Sequence, residues 1–256
     1  MRYFVSLAYN GTRFEGWQEQ PSGNSVQQRV AQALSTVLRS PIAVVGCGRT
    51  DTGVHAAQYM LHFDAATTLP NNLLLRLNHL AGKDIVLHQI WAMQPEAHAR
   101  FDAVSRSYYY RISTVRDPFS QETAWFLAQA AHIDRTKMQA AAQLLLEYHE
   151  FAPFCKAHGQ AQTMRCTLSR AEWVFDDTAH TWTFHISANR FLRGMIRLIV
   201  GACIYIGLGK MSIEDLRQAL HTQTSLPKPY SVPPQGLFLH DIRYPSAIFG
   251  APITFL

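Results

Sequence analysis

Asp51 stands two residues after Arg49 and two before Gly53, in the run Arg49-Thr50-Asp51-Thr52-Gly53-Val54-His55. An apolar run, Ile42 to Val45, leads in, and an alternating run, Tyr59 to Phe63, leads out. Both flanks read as strands, which places the carboxylate in a loop, where a scaffold presents chemistry because its backbone is not committed to a sheet ladder. An ionised carboxylate serves as a nucleophile or as a general base, and a guanidinium two residues away is placed to orient it. The same spacing also suits an Asx-turn onto Gly53 or a surface ion pair. Asp51 is the first candidate for a catalytic group.

Two further groups carry chemistry. Arg190, Arg193 and Arg197 fall on an apolar stretch that reads as one helix from Arg190 to about Ile206. At 100° per residue they form a stripe roughly 60° wide, while Leu192, Met195, Ile196, Leu198 and Ile199 fill the other directions. Arginine near a helix amino terminus opposes the macrodipole, so stability does not favour it there. Such a stripe is expected to face an anion, either phosphate or Asp51 itself, with a solvated face as the alternative. The run Tyr108-Tyr109-Tyr110 is the other group. Period two puts Tyr108 and Tyr110 on one face of a strand and Tyr109 on the opposite one, which suits either core packing or a surface for a planar ring.

The elements that position these residues follow from periodicity. Residues 2–9 alternate as a strand, and Ser25 with Gln28 makes a capping box that opens an amphipathic helix to about Arg39. Strands are expected near 42–47, 57–64, 84–93, 106–115 and 236–244, a hairpin over 168–176 and 180–188, and helices over 73–80, 134–147 and from Ser212. The Pro-rich stretch 227–234 reads as a surface connection. The first unit ends near Ala103, giving halves of 1–103 and 104–256 that both mix strands with helices.

Composition sets outer limits. With 256 residues, 48% hydrophobic and 16% charged, the chain buries a real core and is not disordered. A net charge of +5 leans weakly towards a polyanionic partner. Cys47, Cys155, Cys166 and Cys203 form no Cys-x-x-Cys pair, and Met1-Arg2-Tyr3 opens no secretory leader, so buried thiols in a soluble cytoplasmic protein are expected. The apolar stretch around 196–207 is too short to span a bilayer. His55 and His62 read as structural, since the twelve histidines show no ligand spacing. Gly46-x-Gly48 lacks the third glycine of a dinucleotide fingerprint, Met211 replaces the hydroxyl residue of a P-loop after Lys210, and no zinc-enzyme pattern occurs. No cofactor or metal is called for.

The run Gly48 to His55 resembles the signature of the TruA family of tRNA pseudouridine synthases. Tyr9 to Gln20, with Gly16-Trp17-Gln18, is similar to that family's amino-terminal segment, and Ser25-Val26-Gln27 follows. Ala99-Arg100-Phe101, Arg106-Ser107-Tyr108-Tyr109-Tyr110, Phe191 to Arg197 with Gly201, and Gly236 to Leu239 resemble its later elements in order. Asn10, Thr52 and Cys166 depart from the usual Asp, Ala and Thr, and none removes a reacting group.

The resemblance implies an α+β fold: two similar halves, each an antiparallel sheet with helices on one face, joined into one continuous sheet with the catalytic cleft between them. It implies cofactor-free isomerisation of uridine to pseudouridine on the 3′ side of the tRNA anticodon stem-loop, by a homodimer. Asp51 then corresponds to the essential aspartate, attacking base or sugar. Tyr108 would stack on uracil and relay a proton, Arg197 would pair with Asp51, and Arg49 would fill the place of a flipped base or hold its phosphate. Leu237, Arg190 and Arg193 join Tyr108 and Arg49 as substrate contacts. Two rivals stay open: a non-catalytic RNA-binding protein, which has no use for Asp51, and a glycoside hydrolase, which needs a second carboxylate that Asp64 and Asp84 do not obviously supply.

Overall fold

Alternating aromatic and aliphatic residues at the amino terminus form β1 (Arg2–Tyr9), followed by α1 (Val26–Leu38), β2 (Val44–Gly46), β3 (His55–Asp64), α2 (Leu73–Ala81) and β4 (Ile85–Met93). Next come β5 (Ser105–Ser113), β6 (Trp125–Phe126), α3 (Arg135–Leu144), β7 (Leu168–Asp176), β8 (Thr181–Ala188), α4 (Met195–Gly207) and α5 (Ile213–Thr222). The chain closes with β9 (Leu237–Arg243) and β10 (Phe249–Pro252). This is a computed structural model, and it describes residues 1–21, 23–156 and 162–253. Two units divide the chain: Met1–Arg106 with Phe238–Leu256, and Ser107–Leu237. The final strands thus pack with the first unit, whereas the sequence boundary at 103 assigned them to the second half.

In the first unit the strand order is β10-β4-β1-β3-β9, with β2 also on β3. β1 pairs antiparallel with β3 and with β4, while β9 lies parallel to β3 through His55↔Phe238 and Ala56↔Leu239. A purely antiparallel sheet was expected, and both units depart from it, since β6 also runs parallel to β5. Parallel pairing needs a long connection between partners, and β9 follows β3 only after the whole second unit has intervened. Tyr3, Phe4, Val5 and Leu7 are all buried, so β1 is covered on both faces. Phe4 meets Tyr244 at 5.7 Å and Phe249 at 6.1 Å, which shows the returning carboxy-terminal segment covering one of them.

The capping box at α1 is half formed. Ser25 Oγ accepts from the Gln28 backbone N–H at 3.2 Å, but Gln28 Oε1 is buried without a partner. The loop before α1 does more than connect. Trp17 stacks on Tyr59 of β3 with centroids 4.0 Å apart, and Tyr9 of β1 packs beside Tyr59 at 5.6 Å. Gly46 admits this cluster, because a Cβ there would lie 2.1 Å from Tyr59 Oη and 2.6 Å from Trp17 Nε1.

In the second unit β5, β8 and β7 are neighbours, and β7 pairs antiparallel with β8 across the expected hairpin. β8 alternates cleanly: Trp182, Phe184, Ile186 and Ala188 are buried, and the residues between them are half-exposed. α3 starts at an Asp134 cap and packs on α4, where a Cβ on Gly207 would come within 2.8 Å of Met138. α5 carries a complete capping box between Ser212 and Asp215. The Pro-rich connection is more than a surface segment. A Cβ on Gly201 would lie 1.8 Å from the Tyr230 carbonyl oxygen, and Val232 is fully buried, so the connection is strapped against α4.

Two outcomes follow from the first unit. Gly16 has φ +91°, and a Cβ there would lie 2.3 Å from the Thr50 carbonyl oxygen. Gly16→Ala should destabilise the fold by about 2–4 kcal/mol in urea titrations, whereas Gly48→Ala, with nothing within 4 Å, should cost under about 1 kcal/mol. Equal costs would show that the close approach at Gly16 is unimportant. His62 is buried on β3, its Nδ1 accepting from the Ala99 backbone N–H at 3.1 Å. Burial, then the charges of Arg2 and His98, lower its pKa from 6.5 to about 4. The folded state therefore prefers neutral His62, and stability complete above pH 6.5 falls as pH drops towards 4. The loss between pH 7 and pH 4.5 should be roughly 2 kcal/mol and should shrink in His62→Asn; an unchanged pH slope in the variant would assign it to other groups.

Candidate active site

The backbone around Asp51 is pinned from beneath. The Trp17 backbone N–H donates to the Thr50 carbonyl at 3.2 Å, and the Thr50 hydroxyl shares a buried 2.8 Å hydrogen bond with the Tyr9 hydroxyl. Tyr59 Oη donates to the Gly48 carbonyl at 2.5 Å, and the Gly53 N–H donates to the Phe14 carbonyl at 3.3 Å. The turn itself closes through backbone, with the Val54 N–H donating to the Asp51 carbonyl at 3.1 Å and Gly53 supplying φ +75°. Thr50 is buried, Asp51 is half-exposed, and Arg49 and Thr52 are exposed. A fixed backbone thus presents Asp51 half-exposed, and the unusual Thr52 sits at the exposed corner of the turn.

The two histidines near this loop are used structurally, as their sequence setting suggested. His55 is buried, accepts from the Gly11 backbone N–H through Nδ1 at 3.0 Å, and stacks on Phe238 at 4.4 Å. His62 anchors Ala99 in the same manner.

The other candidates lie in the second unit. Tyr108, half-buried on β5, meets Phe191 edge to face at 5.2 Å. Tyr110 is fully buried, donates to the Pro233 carbonyl at 2.8 Å, and has its pKa pushed far up by burial. Tyr109 points the other way, towards His185 at 6.4 Å, with the Arg111 guanidinium 5.4 Å over its ring. Period two therefore divides the three rings as expected. Leu237 is buried at the start of β9, after Gly236, whose Cβ would lie 2.6 Å from the Arg111 carbonyl oxygen.

The arginine stripe needs correction. α4 begins at Met195, not at Arg190, because Gly194 takes φ +70° immediately before it. The φ of +70° is what favours glycine at 194, and a Cβ there would also lie 2.8 Å from the Lys156 methylenes. Arg190 and Arg193 belong to the lead-in, half-buried and exposed respectively, and only Arg197 rides the helix. Arg197 Nε donates to the Val232 carbonyl at 2.6 Å, and the Val232 N–H donates back to the Arg197 carbonyl at 3.2 Å. Its charge also lies near enough to Tyr110 to offset part of the rise in that phenol's pKa.

Trp17, Tyr59, Phe191 and the Val232-Pro233 strap were not singled out as site residues from the sequence. Their roles rest on contacts over long sequence separations, which carry no periodic signal. Among the described residues no group of three or more His, Cys, Asp or Glu could hold a metal ion, and all four cysteines are free. No helix among the described residues is long and apolar enough to cross a membrane.

Comparison with known proteins adds a second line. Residues 141–245 match a family described as tRNA pseudouridine synthase. A protein of Porphyromonas gingivalis named tRNA pseudouridine synthase A is 42% identical, over 97% of this chain and 99% of its own length. Proteins of the same name from Azobacteroides pseudotrichonymphae and Neisseria meningitidis are 43% and 35% identical, covering 97% and 96% of this chain and 98% and 93% of their own. Identity of this extent over nearly the whole chain shows that the chain belongs to the TruA family of tRNA pseudouridine synthases.

Proposed function

We propose that this chain isomerises uridine to pseudouridine in tRNA, on the 3′ side of the anticodon stem-loop, with Asp51 as the catalytic carboxylate. The observation that carries the reading is the near full-length identity with proteins named tRNA pseudouridine synthase A, joined to a carboxylate presented half-exposed on a pinned loop. The reaction breaks the C1′–N1 bond of uridine and makes a C1′–C5 bond. The proton leaves C5 and N1 acquires one, so substrate and product are isomers and no redox step arises.

In this reading Asp51 acts as nucleophile or assists glycosidic cleavage. Tyr108 stacks on the uracil ring and carries the C5 proton, a role its half-exposed place on β5 supports. Arg197 pairs with Asp51, and the Nε bond to Val232 fixes the plane of the guanidinium for that task. Arg49 fills the space of the flipped base or holds its phosphate. Arg190 and Arg193 reach phosphate from the lead-in to α4, and Leu237 packs against the substrate.

The wider architecture belongs to the same proposal: two similar halves with helices on one face of a continuous sheet and the cleft between them. So does a cytoplasmic homodimer whose paired clefts grip one tRNA. Shape and phosphate contacts would select the substrate, so affinity should fall steeply with salt.

Tritium release from uracil C5 in labelled tRNA tests the reading. Wild type should release tritium, and Asp51→Ala should lose about a thousandfold or more in turnover while still binding tRNA. Equal release from both proteins would remove Asp51 from the mechanism, and binding without release from either would leave an RNA-binding module. In the same assay Arg197→Ala should reduce kcat by about tenfold or more beyond Arg190→Ala. Small and equal effects would remove both arginines from the reaction.

A further inference from the structure

The segment Gln94–Ala103 of the first unit combines a pinned backbone with one large apolar side chain left in water. Five side chains hold the backbone. His62 Nδ1 accepts from the Ala99 N–H at 3.1 Å, and His98 Nδ1 accepts from the N–H groups of Arg100 and Phe101 at 3.1 and 3.3 Å. Asp102 Oδ2 accepts from the His98 N–H at 2.7 Å, Tyr244 Oη donates to the Ala99 carbonyl at 2.5 Å, and Arg106 donates to the carbonyls of Arg100 and Ala103 at 2.6 and 2.9 Å. Yet the Phe101 ring is 73% exposed. It rests on the His98 ring at 4.3 Å, with the exposed Arg100 guanidinium 5.6 Å from its centroid.

A side chain with no task on a surface loop has no need of so rigid a base. A planar ring held on an imidazole and accompanied by a cation has the chemistry of a nucleobase stacking platform, in which the ring meets the base and the guanidinium meets an adjacent phosphate. A protein interface would require a broader contiguous apolar patch, whereas Phe101 is bounded in the chain by Arg100 and Asp102.

Resting on the RNA-substrate reading above, we infer that Phe101 and Arg100 form a stacking platform that docks an unpaired nucleobase of the tRNA other than the reacting uridine. The platform selects and positions RNA and takes no part in bond making.

The test is a substitution series at this position, read by tRNA dissociation constant and by KM and kcat for tritium release. Phe101→Ala and Phe101→Leu should each raise Kd and KM about tenfold, with a smaller change in kcat and an unchanged Tm. Phe101→Trp should restore binding and show indole fluorescence quenched by tRNA. Arg100→Gln should reduce the salt slope of binding by about one phosphate contact. Unchanged Kd and KM in Phe101→Ala would overturn the platform. So would a dimer that dissociates in Phe101→Ala while tRNA affinity per protomer is retained, because the ring would then be a protein contact. If wild type binds tRNA without releasing tritium, the isomerase reading fails, and the Kd series still decides the platform.

Discussion

The grip on Thr50 is the constraint from which the candidate site follows. Its carbonyl takes the Trp17 N–H, its hydroxyl meets Tyr9, and Gly16 lets the two chains approach closely enough for both bonds. Asp51 is the next residue, so its backbone position is set by main chain and by a buried aromatic cluster. Preorganisation of this kind reduces the rearrangement a reacting group must undergo, which is what an electrostatic mechanism requires. It also joins residues 9–17 and 46–59 into one packed unit despite their separation in sequence.

The second unit uses a parallel device with different parts. Arg197 is tied to the 230–233 strap by bonds in both directions, and Tyr110 reaches the same strap through Pro233. Gly201 lets the strap lie directly on α4. A cation in the first turn of an apolar helix is costly against the macrodipole, and the Val232 carbonyl on the strap helps to hold it by a hydrogen bond. The residue is therefore both a packing element and a charged group of fixed direction.

Much of this was legible in the sequence where a periodic signal existed. Alternation gave β1; β7 and β8 were expected as a hairpin, and helix starts were placed at the Ser25 cap, near Asp134 and at Ser212. The loop around Asp51 was legible from its flanking strands and its glycine. The start of α4 was not, because Leu192, Met195 and Ile196 continue an apolar pattern while Gly194 breaks the backbone without altering it. Nor was the parallel pairing of β9 with β3, or the stacking of Trp17 on Tyr59, since pairing between distant segments leaves no local trace. The reciprocal arm of the α1 capping box was a local expectation that tertiary packing overrode, leaving Gln28 Oε1 buried and unpaired.

The discontinuity of the first unit has a consequence for how the chain is made. β1 to β4 leave the ribosome long before β9 and β10, the strands that border β3 and β4. Until Ser107–Leu237 has been synthesised, part of the outer edge of β3 and one flank of β4 carry unpaired backbone groups, a template for wrong pairing with other nascent chains. The second unit is contiguous in sequence, whereas the carboxylate-bearing unit is sealed only when the last strands arrive.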